Sequence, residues 1–204
     1  MFLAPLVFLA HDPRPHREVQ DMLDATPLQN AYQALLDAAA TVAAAATVAD
    51  AATVTDADSP GPAPPHGEWN ADQILAHVSL VSAATIAAVA SVAAGAHTTY
   101  DNRIALDAWT IERTIEHAGG NAGLRDRIGG QAAALCALAG GAALSDAELS
   151  TPAPVRLLSN GTLLADQPMP LRDIVTGLAE AELPGHTRQL LDLLPGRAVA
   201  EATR

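Results

Sequence analysis

No lysine occurs anywhere in the 204 residues, so all 11 basic side chains are arginines, set against 23 aspartates and glutamates for a formal net charge of −12. A chain this acidic repels phosphate backbones and anionic lipid surfaces, which argues against nucleic acid or a membrane as partner. One cysteine, Cys136, excludes an internal disulfide and any multi-cysteine zinc site. The compartment that follows most simply is a reducing cytoplasm. Aromatics are as scarce, with two each of Trp, Tyr and Phe. No phosphate-cradling glycine loop follows a strand, and no Gly-x-Ser-x-Gly elbow is present, so nucleotide binding and that serine-hydrolase class have no support. The apolar opening MFLAPLVFLA is too short to cross a bilayer and lacks a basic leader. It is expected to be an arm packed on the body or on a partner subunit.

What the chain has instead is alanine: half of its residues are hydrophobic, and much of that half is alanine. Closely packed helices suit this composition better than a β-sandwich. The expected organisation is an N-terminal arm over 1–26, one helical domain over 27–196 and a tail over 197–204. Thr26 and Pro27 open a first helix with Leu28, Tyr32, Leu35 and Leu36 on its apolar stripe, running to about Val54. The Pro-rich DADSPGPAPPHG ends it. Asn70 and Gln73 form a capping-box pattern for a second helix that Gly95 stops, with Ile74, Val78, Val81 and Ile86 inward. A third covers Ile104–His117, breaks at Gly119-Gly120 and resumes from Leu124 to Leu138. Asn160-Gly161 between two apolar runs predicts a small β-hairpin near 155–166 rather than a full sheet. A last helix runs from Leu171 to Leu194, before Pro195-Gly196. The fold class expected is all-α, an up-down four-helix bundle carrying that hairpin.

Within LAEAELPGHTRQLLDL, helical spacing puts Leu178, Glu182, His186, Gln189 and Leu193 in one sector. A carboxylate and an imidazole one turn apart on an apolar stripe need a partner, because burying either alone is costly. His77, on the inner side of the second helix, could complete a His77–Glu182–His186 triad. Such a triad leaves coordination positions open, as catalytic metal sites require. Imidazole and carboxylate suit zinc, nickel, iron or cobalt. The competing readings are a surface Glu–His contact and a hydrogen-bonded core histidine. Pro184 lies between the two ligands and either kinks the helix, keeping both side chains inward, or breaks it. Cys136 is expected buried and inert, and Trp109 in the core. His97 and His117 are expected at helix ends, and His11, His16 and His66 in solvent. Arg188 is near enough in sequence to bind an anionic group, or is simply solvated.

EWNADQILAHV, just after a Pro-rich linker, resembles the second-helix signature of the DinB-like superfamily, which includes the mycothiol-dependent maleylpyruvate isomerases. ELPGHTRQLLDLL is similar to the last helix of that family, where two ligands stand four apart. The resemblance spans roughly 28–194 by element order, and its departures are Pro184-Gly185 and the N-terminal arm. It implies a metal-binding four-helix bundle of DinB-like type, often a homodimer, with His77, Glu182 and His186 on a divalent ion. Zinc and nickel stand first among the candidates. It also implies a low-molecular-weight thiol cosubstrate and a small-molecule substrate. The rival is a non-catalytic, dimerising helical bundle, a binding or stress-associated protein, whose polar trio is only a hydrogen-bond network.

Overall fold

The computed structural model describes residues 23–53, 69–140, 144–159 and 161–194. Most of the N-terminal arm, the Pro-rich linker, Asn160 and the C-terminal tail with Pro195-Gly196 lie outside the described residues. The chain is mostly helical with a small three-stranded sheet. Helix α1 spans Thr26–Thr53 and α2 Ala71–Ala93. The capping box forms as expected: Gln73 N donates to Asn70 Oδ1 at 2.9 Å, and Asn70 N donates to Gln73 Oε1 at 3.0 Å. At α1 the Asp24 carboxylate, not Thr26, supplies the end group, accepting from Thr26 N at 2.9 Å.

Strand β1 is only Tyr100–Asp101, followed by a 3₁₀ turn at Arg103–Leu106 and helix α3 at Ala108–Ala118. The third helix therefore starts four residues later than its apolar spacing suggested. Asp107 takes the N-cap and accepts from Thr110 N at 2.9 Å, which fixes the start there. The break at Gly119-Gly120 is real, with both residues at positive φ, 78° and 83°, where a side chain would be strained. Helix α4 follows at Asn121–Ala139, and a single turn, α5, at Asp146–Leu149.

Strands β2, Pro152–Ser159, and β3, Thr162–Pro170, form the hairpin, longer than expected and with a bulge between Leu157 and Leu158. β1 joins β2 in parallel, so the hairpin belongs to a sheet after all. Two residues are too few to show a strand period in sequence.

The last helical stretch is continuous in backbone direction but not in hydrogen bonding. Helix α6 at Leu171–Gly177 passes into a π turn at Leu178–Glu182 and then into α7 at Leu183–Asp192. Around one core, α2 packs on α4 and α3, while α1 packs on α4 and on the stretch from the π turn through α7. Helix α2 is buried on nearly every side. Its 61 % buried apolar window explains why it is long and apolar enough to cross a bilayer, a property that the Thr26–Val48 stretch of α1 shares. Trp109 corrects the expectation of a core residue: it is 72 % exposed at the start of α3. Cys136 is half-buried in α4, and burial pushes its thiol up, away from the reactive thiolate.

Candidate metal centre

Pro184 neither breaks the last helix nor sits in a regular one. Ahead of it, the Leu183 N–H donates to the Leu178 carbonyl, five residues back, and Pro184 falls in the opening turn of α7. A proline there lacks only an N–H that has no partner to lose. The π turn inserts one residue, which turns everything beyond it by about 100° relative to α6. Leu171 and Val175 are buried before it, Leu178 at its first position, and Leu183 and Leu190 after it. Leu183 thus takes the inward place that unbroken α spacing would have given Glu182. Glu182 and His186 move to the flank of the core, facing α2.

On α2, His77 is 3 % exposed. Its Nε2 lies 3.0 Å from Glu182 Oε1, and His186 Nε2 lies 3.2 Å from the same oxygen. The two imidazole centroids are 4.6 Å apart, and the Trp69 ring stands 4.8 Å from His77 on another side. The three expected side chains do converge, and one ligand atom from each lies within 4.8 Å of the others. Arg188, His97 and His117 are exposed and outside this cluster. His11, His16 and His66 fall outside the described residues.

The outer nitrogens decide what the cluster can do. His77 Nδ1 is 2.8 Å from the Ala105 carbonyl, which can only accept, so that nitrogen carries a hydrogen. In the neutral ring, Nε2 then presents a lone pair to the carboxylate. His186 repeats the pattern, with Nδ1 2.7 Å from Gln189 Oε1. Where both Nε2 atoms carry hydrogens, donation from His186, then from His77, holds the Glu182 carboxyl well below the usual carboxylate range, against the desolvation that would raise it. Where both rings are neutral with the hydrogen on Nδ1, three electron-pair donors meet and a cation is needed between them. Donors about 2.0–2.2 Å from one ion at tetrahedral or octahedral angles lie roughly 3–3.4 Å apart. The two histidine–glutamate separations fall in this range, as ordinary hydrogen bonds also do, and the two histidine nitrogens lie within 4.8 Å of each other. The cluster could hold a metal ion.

Access is one-sided. Side-chain exposure rises from 4 % at His77 to 12 % at His186 and 33 % at Glu182, so the cluster opens on the Glu182 side. Tyr100 is buried, and desolvation pushes its phenol up to about 12, with Thr85 opposing and the Glu182 charge adding to the rise.

Three parts of this site escaped sequence reading. The Ala105 carbonyl is delivered by the 3₁₀ turn, which Asn102 anchors to β2: its Nδ2 donates to Leu158 O at 2.8 Å, and Leu158 N donates to its Oδ1 at 2.9 Å. A buried carbonyl leaves no trace in side-chain pattern. Gln189 lay in the same helical sector as the ligands but without an assigned role. Trp69, just ahead of the Asn70 cap, packs against the His77 ring. No protein-family model, no curated protein and no solved structure matches the chain.

Proposed function

We propose that this chain is a divalent-metal protein of DinB-like type, with His77, Glu182 and His186 as ligands, acting on a small molecule with a thiol or water as nucleophile. What carries the reading is the commitment of His77 Nδ1 to the Ala105 carbonyl, which leaves its Nε2 aimed at an ionised carboxylate. Metal-binding histidines are held in this way by an acceptor on their outer nitrogen. A divalent ion bound there would lower the pKa of a coordinated water or thiol towards neutrality. The chain's own residues supply the rest. His77, locked on both nitrogens and against Trp69, fixes the buried corner of the site. Glu182 contributes negative charge at the open edge, where substrate arrives. Zinc or nickel is the proposed ion, and the working form is a cytoplasmic homodimer with neither nucleic acid nor membrane as partner.

A second reading rests on the same short contacts. If His77 and His186 are imidazolium, both donate to Glu182 and the trio is a charged hydrogen-bond network in a non-catalytic bundle. Metal analysis of protein purified without a histidine tag separates the two. The metal reading expects near-stoichiometric zinc or nickel that disappears in His77→Ala and His186→Ala. No uptake of Zn²⁺ or Ni²⁺, even after reconstitution, would leave the network reading.

A further inference from the structure

The two histidines are held by partners of different kinds. His77 faces a backbone carbonyl that can only accept. His186 faces the carboxamide of Gln189, one turn along α7, at an exposed position. From this difference we infer that Gln189 is a positioning residue, which keeps the hydrogen of His186 on Nδ1 so that Nε2 stays free for an ion. The inference rests on the metal reading above.

Two acceptors compete for the single hydrogen of a neutral His186. Glu182 Oε1, 3.2 Å from Nε2, belongs to a carboxylate side chain, the stronger kind of acceptor, since a hydrogen bond to a charged acceptor is about twice as strong as a neutral one. Left alone, the ring would place its hydrogen on Nε2 and donate it to Glu182, which withdraws the lone pair from the cluster. The Gln189 oxygen, closer at 2.7 Å, opposes this by accepting from Nδ1. It does so without adding a second negative charge beside Glu182. At His77 the Ala105 carbonyl does the same work through the backbone, so a side chain can reach it only indirectly, through the turn that Asn102 anchors. At His186 the side chain of Gln189 makes the contact itself.

The test compares full-length wild type with Gln189→Ala and Gln189→Glu. Zn²⁺ affinity is read by competition with a chelator. Separately, the imidazole tautomers of the metal-free proteins are read from nitrogen NMR at a pH where the rings are neutral. Gln189→Ala is expected to bind Zn²⁺ about tenfold to a hundredfold more weakly, the range found when a group orienting a ligand is lost. Its His186 should move from the Nδ1–H to the Nε2–H form. Gln189→Glu, which can only accept, should keep the Nδ1–H form and at least the wild-type affinity. An unchanged tautomer in Gln189→Ala overturns the inference, whatever happens to affinity. So does loss of affinity in Gln189→Glu. If wild type takes up no Zn²⁺, the metal reading fails, and the tautomer comparison alone still decides the role of Gln189.

Discussion

Leu178 and Leu183 are five residues apart, both are buried, and the amide of the second donates to the carbonyl of the first. A regular α-helix buries residues three or four apart, so this pair requires the π turn that also makes room for Pro184. A proline strained inside a regular helix costs about 3 kcal/mol, and removing it would return that amount. Here Pro184→Ala is expected to change stability by no more than about 1 kcal/mol, because the ring meets no strain and its main effect is on the unfolded chain. Denaturant unfolding measures this directly. A gain near the larger figure would show that the proline is strained after all.

Asn102 ties the small sheet to the turn whose Ala105 carbonyl meets His77. It is 2 % exposed, and its carboxamide both donates to and accepts from the Leu158 backbone. Asn102→Ala leaves a Leu158 amide and carbonyl without those partners and is expected to cost about 1–3 kcal/mol. It also frees the turn that carries the Ala105 carbonyl, so Zn²⁺ affinity should fall along with stability. Loss of stability with wild-type affinity would show that His77 is held without the turn.

Glu182 makes stability depend on acid. Its folded-state carboxyl lies well below the ordinary 4.5. A depressed carboxylate contributes stability that is present above the unfolded value and is lost as pH falls through the folded one. Chelator-treated wild type should therefore lose stability progressively below about pH 4.5, more steeply than Glu182→Gln, which has no such group to protonate. Parallel acid unfolding curves for the two proteins would contradict the assignment.

Glycines in the helices, and Gly140 at the end of α4, divide by what a methyl group would meet. At Gly129 in α4 and Gly185 in α7 nothing lies within 4 Å of the added carbon. Each change to alanine is expected to stabilise by about 0.5–1 kcal/mol. At Gly123 the same carbon runs into the Ala118 carbonyl, and at Gly140 into the Ala25 side chain. Those two variants should destabilise. Thermal melts of the four single variants check the division, and a common sign for all four would refute it.

The parts legible in sequence were those written in short-range chemistry. Asn70 and Gln73 announce the start of α2, Gly119-Gly120 the break between α3 and α4, and Gly161 at φ 75° the turn of the hairpin. The apolar stripe of Leu28, Tyr32 and Leu35 marks the inner face of α1 correctly. The donor chemistry of His77, Glu182 and His186 was also readable, since each stands out on an apolar face. β1 was not, because two residues carry no period, and Trp109 defied its type by lying on the surface.

The sequence by itself determined the long helical segments, though not the single turn of α5, and which three side chains could bind an ion, because capping, helical periodicity and side-chain chemistry act within a few residues. Only the tertiary structure decided that they meet. His77 and Glu182 are 105 residues apart, and their contact depends on α2 and α7 packing in one register. That register is set by the one extra residue of the π turn. It in turn follows from burying Leu178 and Leu183 together, a demand that the core makes on the helix and the helix alone does not express.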